Sequence, residues 1–148
     1  MTLDGTPQEF TLTAVASELA VRDTLLAIRN RLAVHGVSED TCGSVELAMA
    51  EALNNVVEHA YCDDGPRDIR LSVEIKPDRL CFQIIDGGAP LPDLSLPAGA
   101  LPDNSGPRDA LPEGGFGWFL IRDLTERVSY ERRNGMNHLT LEFLRTAR

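Results

Sequence analysis

Apolar and polar residues follow two different spacings along the first third of the chain. Residues 8–13 alternate and are predicted to form a strand, whereas apolar residues recur at helical spacing over residues 17–34. Ser17 and Ser38 are suited to the starts of two successive helices, because their hydroxyl oxygens can accept hydrogen bonds from free backbone N–H groups. Gly36, between these helices, is predicted to take the left-handed conformation that ends a helix.

The rest of the chain returns to alternation, interrupted by one more helix. Strands are predicted at residues 69–75, 80–85, 126–132 and 138–144, and a helix at residues 114–123. Asn134-Gly135 is a strong hairpin-turn signal between the last two strands. The order strand, two helices, two strands, loop, helix, two strands predicts an α+β fold, a mostly antiparallel sheet with helices on one face. We expect residues 1–148 to form a single domain.

Residues 91–113 form the one long interruption in these patterns. The segment holds five prolines and shows no periodicity. A loop of this length within a compact domain is usually a lid, a binding loop or disorder, and the plainer alternative is an idle insertion. Its position between two glycine motifs favours a lid.

Composition and charge narrow the classes of function. Hydrophobic residues make up 43% of the chain and charged residues 25%, which is ordinary for a globular protein. The net charge of -9 argues against non-specific nucleic-acid binding, which needs an excess of Lys and Arg. The three cysteines form no C-x-x-C pair, and no stretch approaches the ~18 apolar residues of a membrane span. We therefore expect a soluble cytoplasmic protein that does not enter a membrane.

The central stretch, residues 46–61, is predicted to be one helix with a polar stripe. Glu51, Asn55 and His59 recur at steps of four, which drift by only about 40° each around an α-helix. A carboxylate, an amide and an imidazole can together hold a proton, a metal or a phosphate. The plainer alternative is a surface helix with a few polar residues.

Asp86-Gly87-Gly88-Ala89-Pro90 follows directly on a predicted strand. A carboxylate at the end of a strand can accept a hydrogen bond from an exocyclic amine such as that of adenine. Gly88 would let a flat ring or the backbone approach closely. The motif is weak by itself, because ordinary turns use the same residues.

A second glycine motif opens the helix at residues 114–123. Its residues are Gly114, Gly115, Phe116 and Gly117. Unobstructed N–H groups at a helix N-terminus form an anion site, and no Lys stands nearby as in a Walker A loop. A nucleotide bound without a lysine needs Mg²⁺, for which Asn55 offers an oxygen ligand. Glu51, one turn earlier, could orient or deprotonate a hydroxyl near the γ-phosphate.

Three motifs in this order, E-x-x-x-N-x-x-x-H-A-Y, D-x-G-x-P and G-G-x-G-x-x-L-I, resemble the N box and the two G boxes of the GHKL, or histidine-kinase-like, ATPase superfamily. The closest resemblance is to the bacterial anti-sigma factor serine kinases of partner-switching pathways. It implies the Bergerat ATP-binding fold, Mg²⁺-ATP and a homodimer. It also implies two partners, a small anti-anti-sigma protein with a phosphorylatable serine and a sigma factor.

The resemblance assigns roles by position. Glu51 matches the general base, Asn55 the Mg²⁺ ligand and Asp86, beside Gly88, the adenine-binding carboxylate. Gly115 and Gly117 match the phosphate-facing glycines, and His59 falls within the nucleotide site. Residues 91–113 match the ATP lid.

This chain departs from the family pattern at several positions. Pro90 stands where the wider superfamily often has glycine. Some kinases of this branch carry a basic residue just before the second glycine motif; here it is Glu113, and the nearest lid cation is Arg108. The last strand usually offers a threonine near the adenine, a place that Asn137 or Thr140 would have to fill.

Two other functions remain open at this stage. The first is a nucleotide-gated binding module that sequesters its partner without transferring phosphate. The second is the catalytic half of a histidine kinase. The stretch before the central helix is expected to be too short for a phospho-acceptor helical hairpin, which disfavours the histidine kinase.

Overall fold

The computed structural model of the protein describes residues 8–60, 68–97 and 115–145. Its helices and strands follow in the predicted order. They are β1 (Gln8–Val15), α1 (Glu18–Val34), α2 (Glu39–Asn55), β2 (Asp68–Ile75), β3 (Arg79–Asp86), α3 (Gly115–Leu124), β4 (Arg127–Arg133) and β5 (Met136–Leu144). A π-helical segment, Val56–Ala60, continues α2, and a short 3₁₀ turn spans Pro92–Leu94.

The five strands form a single sheet in the order β1-β2-β3-β5-β4. Every neighbouring pair is antiparallel. The last strand, β5, therefore lies between β3 and β4, and β4 forms an edge. This insertion brings the C-terminal end of β3 beside the start of β5, where Asp86 is opposite Asn137.

The sheet buries one of its faces against the helices. Alternate side chains of β2, β3 and β5 are buried, and together with buried residues of α1, α2 and α3 they form one hydrophobic cluster. Phe82 and Phe143 meet edge to face in this cluster, with ring centroids 5.6 Å apart. The α+β prediction is confirmed. Within the described ranges, no helix combines the length and the apolar character needed to cross a membrane.

Local signals at the helix and strand ends act as predicted. The hydroxyl of Ser17 accepts a hydrogen bond from the N–H of Ala20, and Ser38 caps α2 in the same manner. Gly36 follows α1 with φ of 76°. The Asn134-Gly135 turn has positive φ at both residues, as a type I′ hairpin requires.

The central helix differs from the prediction at its C-terminal end. The regular α-helix ends at Asn55, and the next five residues form a π-helical turn, in which hydrogen bonds span i to i+5. The step-of-four rotation that relates Glu51 to Asn55 therefore stops before His59. Such turns are frequent at functional sites.

Candidate functional site

The amide of Asn55 stands out in the last turn of α2. Its Nδ2 atom is buried and has no hydrogen-bond partner among the described residues. A buried amide usually has partners, since an unpaired polar group costs roughly 1–3 kcal/mol. The amide therefore suits a ligand at this position, and its other end can supply an oxygen to a cation.

The carboxylate of Glu51 lies close to the first turn of α3. A Cβ atom built on Gly117 would lie only 2.7 Å from Glu51 Oε1, much closer than ordinary contact. The structure thus brings Glu51 and Gly117 together, and only glycine allows this approach. Gly117 is buried in the first turn of α3, beside the helix N-terminus predicted to receive phosphate.

Asp86 forms a second group at the end of β3. The side chain is buried, with only 4% of its surface exposed. Its Oδ1 atom accepts hydrogen bonds from the N–H of Gly88 and from Nδ2 of Asn137, both at 2.9 Å. The backbone turn after β3 and the first residues of β5 thereby hold the carboxylate in place.

Tyr130 and Arg132 extend this group onto β4, although we did not predict them from the sequence. The hydroxyl of Tyr130 donates to Asn137 Oδ1 at 2.6 Å, and Arg132 Nη1 donates to the same oxygen at 3.0 Å. The signal that could have found them is the period of two in β4. Both residues fall on the same face as Val128, which packs against the core.

Thr140 lies elsewhere. Alternation in β5 buries Asn137, Leu139 and Leu141, and it turns Thr140 to the opposite face of the sheet. There Thr140 borders a shallow groove together with Cys81 and Gln83. Of the two residues considered for the adenine position, the structure brings Asn137 to Asp86, and it does not bring Thr140 there.

The remaining candidates have less structural definition. Pro90 is exposed, and Gly115 is the first residue of α3, followed by Phe116. His59 lies in the π-helical turn. Gly114, Arg108 and residues 98–113 of the predicted lid are outside the described residues. All these assignments remain predictions.

The described part of the predicted lid, residues 91–97, is attached at both ends. The N–H of Leu91 donates to the hydroxyl of Tyr130 at 3.1 Å. The carbonyl oxygen of Pro97 accepts two hydrogen bonds from the guanidinium of Arg122 on α3. Between them, Asp93 and Leu94 both have positive φ, a conformation that non-glycine residues rarely adopt.

The two cysteines in the described ranges, Cys42 and Cys81, are free thiols. Neither belongs to the group around Glu51 or to the group around Asp86. Burial raises the pKa of Cys42 and of Cys81, and neighbouring carboxylates add to the effect. Since the thiolate is the reactive form, neither side chain has the low pKa of a nucleophile.

A profile of the histidine kinase-like ATPase domain matches residues 14–143. The chain belongs to this family, and the resemblance inferred from the three motifs is confirmed. Family membership makes ATP the nucleotide that the protein uses, and it identifies the α+β sandwich as the Bergerat fold.

The chain is also similar to individual curated proteins. Serine/threonine-protein kinase BtrW of Bordetella bronchiseptica is 37% identical over 99 residues, which cover 66% of this chain and 67% of BtrW. Serine-protein kinase RsbW of Halalkalibacterium halodurans is 34% identical over 125 residues, which cover 84% of this chain and 74% of that RsbW. Both relatives fall in the serine kinase branch that the motifs resemble.

Solved structures share the fold at lower identity. A crystal structure of the RsbU and RsbW domains of a Mycobacterium tuberculosis protein matches 95% of this chain with a TM-score of 0.67 and 19% identity, over 34% of that longer chain. A chain of the SiaB-SiaC complex from Pseudomonas aeruginosa matches 91% of this chain and 89% of its own length, with a TM-score of 0.58 and 15% identity. These matches support the fold.

Proposed function

We propose that the protein is an ATP-dependent protein serine kinase and anti-sigma factor. It phosphorylates a serine of a small anti-anti-sigma antagonist in a partner-switching pathway. The observation that carries the proposal is the contact between the Glu51 carboxylate and the glycine-rich start of α3, where Gly117 leaves room for Oε1. This contact sets a proton acceptor beside a helix N-terminus suited to phosphate. The names of the BtrW and RsbW relatives support the same activity.

Each group of residues has a separate task in the transfer. The serine hydroxyl of the partner attacks the γ-phosphorus of ATP, the bond to the β–γ bridging oxygen breaks, and ADP leaves. Glu51 orients the hydroxyl and takes its proton. The N–H groups of Gly115 and Gly117 face the phosphates, while the Asp86 carboxylate accepts a hydrogen bond from the adenine amine.

Asn55 fits a Mg²⁺ site through its amide oxygen, while its buried Nδ2, which has no partner among the described residues, is a donor suited to a phosphate oxygen. Its oxygen is the neutral hard ligand that Mg²⁺ accepts alongside waters and phosphate oxygens. Asn55 would hold the ion, which would supply positive charge that offsets the charge of the phosphates. Asn55 thus acts through nucleotide binding as well as through the transfer.

The partners follow from the branch of the family. We propose an antagonist protein with a phosphorylatable serine, a sigma factor as the sequestered partner, a homodimer of this chain, and action in the cytoplasm. The net charge of -9 is consistent with a protein partner and disfavours direct contact with nucleic acid. We further propose that residues 1–148 act as one domain whose lid comprises residues 91–113.

The test compares wild type with Glu51→Ala and Asn55→Ala. Calorimetry gives the affinity for Mg²⁺-ATP, and mass spectrometry follows phosphate transfer to a candidate antagonist encoded by a neighbouring gene. Glu51→Ala is expected to slow transfer by about 10²- to 10⁴-fold with little change in affinity. Asn55→Ala is expected to weaken both, because the metal also binds the ground-state phosphates.

Glu46→Ala is the matched control, since it removes a carboxylate from the same helix and breaks an ion pair with Arg29 on α1. Wild-type transfer by Glu51→Ala would exclude Glu51 as the base. Wild-type protein that binds ATP but phosphorylates no serine partner would overturn the kinase proposal in favour of a nucleotide-gated binding module.

A further inference from the structure

Asn137 is the centre of a hydrogen-bond network that joins β3, β4 and β5. Its Nδ2 atom donates to Asp86 Oδ1 and to the carbonyl oxygen of Ala89, both at 2.9 Å. Its Oδ1 atom accepts from the hydroxyl of Tyr130 and from Arg132 Nη1. The side chain is buried, with 5% of its surface exposed. Both ends of this amide are therefore hydrogen-bonded to other groups of the protein.

The partners of Asn137 fix the orientation of its amide. Arg132 can only donate, and the Asp86 carboxylate and the Ala89 carbonyl can only accept. A flipped amide would set its oxygen against two acceptors and its NH₂ group against a guanidinium. Tyr130 and Arg132 thus hold the Asn137 oxygen on the β4 side, and this arrangement directs the NH₂ group at Asp86.

The consequence for Asp86 is that hydrogen bonds from two parts of the chain hold its carboxylate. Oδ1 receives the hydrogen bonds from Gly88 and Asn137. Two donors from different parts of the chain, the turn after β3 and the start of β5, consequently restrict the orientation of the carboxylate.

The same side chains also hold the backbone that follows Asp86. Arg132 Nη1 donates to the carbonyl oxygen of Gly88 at 2.7 Å, and the Tyr130 hydroxyl accepts from the N–H of Leu91. Each of them thus binds both Asn137 and the segment 88–91. A loss of either would loosen the carboxylate and the adjoining backbone together.

We propose that Asn137, supported by Tyr130 and Arg132, is the positioning residue that sets selectivity for a purine with a 6-amino group. It acts by holding the Asp86 carboxylate, through Oδ1, in one orientation toward the amine. The inference rests on the proposed role of Asp86 in binding adenine. It goes beyond that role, because it assigns selectivity to three residues behind the carboxylate.

The experiment measures binding of ATP and of purine riboside triphosphate, which lacks the 6-amino group, by calorimetry. Wild type is expected to prefer ATP by about 10- to 100-fold, the worth of a hydrogen bond to a charged group. Asp86→Asn is expected to lose most of this preference. Asn137→Ala is expected to reduce the preference to within about threefold, because the carboxylate is no longer oriented.

Tyr130→Phe keeps the ring and removes only the hydroxyl, so it carries the test if Asn137→Ala does not fold. It is expected to lower the preference for ATP by about threefold or more, the loss of one neutral hydrogen bond. Ser129→Ala, next to Tyr130 but on the exposed face of β4, is the matched control and should keep the wild-type preference.

The outcomes distinguish a failure of this inference from a failure of the proposed role of Asp86 in binding adenine. If wild type binds both triphosphates equally, the adenine role of Asp86 fails. If wild type discriminates but Tyr130→Phe and any folded Asn137→Ala keep the full preference while binding both nucleotides more weakly, the three residues are merely structural and the inference is overturned.

Discussion

Replacing Gly117 with alanine tests whether the position of the Glu51 carboxylate sets the rate of transfer. The new Cβ would lie 2.7 Å from Glu51 Oε1, whereas ordinary contact begins at 3.4 Å. The carboxylate must therefore retreat by about 0.7 Å, the difference between these two distances. The obstructing atom is the end of a flexible side chain, so Glu51 will move and the backbones of α2 and α3 will stay.

Gly117→Ala is expected to affect stability and transfer rate in opposite directions. Alanine favours a helix over glycine by up to about 1 kcal/mol, so the free energy of unfolding is expected to stay level or rise. A reacting group displaced by about 1 Å can cost on the order of 10²-fold in rate, and we expect a loss of about 10- to 100-fold for this smaller shift. ATP affinity should remain close to wild type, because the N–H of residue 117 is retained.

Gly43→Ala is the matched control for this substitution. Gly43 lies within α2, and a Cβ built on it meets nothing within 4 Å. Both variants gain helix propensity, but only Gly117→Ala moves Glu51. Urea unfolding, calorimetry with Mg²⁺-ATP and the initial rate of phosphate transfer to the antagonist give the three quantities for each variant.

Two results would refute the reasoning. If Gly117→Ala transfers phosphate at the wild-type rate, the exact placement of the Glu51 carboxylate does not limit catalysis. If Gly117→Ala is destabilised by about 2 kcal/mol or more, as overpacking would produce, the backbone has absorbed the clash and the rate no longer reports on Glu51 alone.

The remaining predictions concern a helix cap and a thiol. In denaturant titrations, Ser17→Ala should lower the free energy of unfolding by about 1 kcal/mol, and Ser17→Gly by only a few tenths. Equal losses for the two variants would show that the hydrogen bond from the Ala20 N–H to Ser17 does not act as a helix cap. Burial, with Glu142 and Glu74 nearby, raises the folded-state pKa of Cys81 above its ordinary 9.0. The protonated Cys81 thiol therefore contributes fully to the free energy of unfolding below the unfolded-state pKa. This contribution is lost as the pH rises through the folded-state pKa. Cys81→Ala should show a shallower alkaline fall in unfolding free energy, and identical pH curves would contradict this.

Local chemistry in the sequence predicted most of the fold. The caps at Ser17 and Ser38 and the turn at Asn134-Gly135 depend on residues next to them in the chain, so their signals are readable without tertiary context. The order of the strands is different. The position of β5 between β3 and β4 depends on pairing partners far apart in sequence, which no local pattern encodes.

The candidate site was predictable to the extent that it follows periodicity. Asp86 shares the buried face with Phe82 and Ile84, and Asn137 shares it with Leu139. Applying this period of two would have chosen Asn137 over Thr140. The change from α- to π-helix after Asn55 had a weaker signal, the β-branched pair at residues 56 and 57, which lowers helix propensity only slightly. The contacts of Tyr130 and Arg132 depended on the strand order and could not be read beforehand.

The insertion of β5 between β3 and β4 also means that the sheet cannot be completed until the last strand has been synthesised. β1, β2 and β3 can pair while the remaining chain is still being made, but one edge of β3 then has no neighbour. Exposed edges of this kind invite pairing with other chains. The β4–β5 hairpin has a tight turn and can form on its own within microseconds, so it can dock as a unit onto β3. Asp86 and Asn137 meet only when β5 pairs with β3, so the proposed nucleobase site cannot be complete before the last strand has been made.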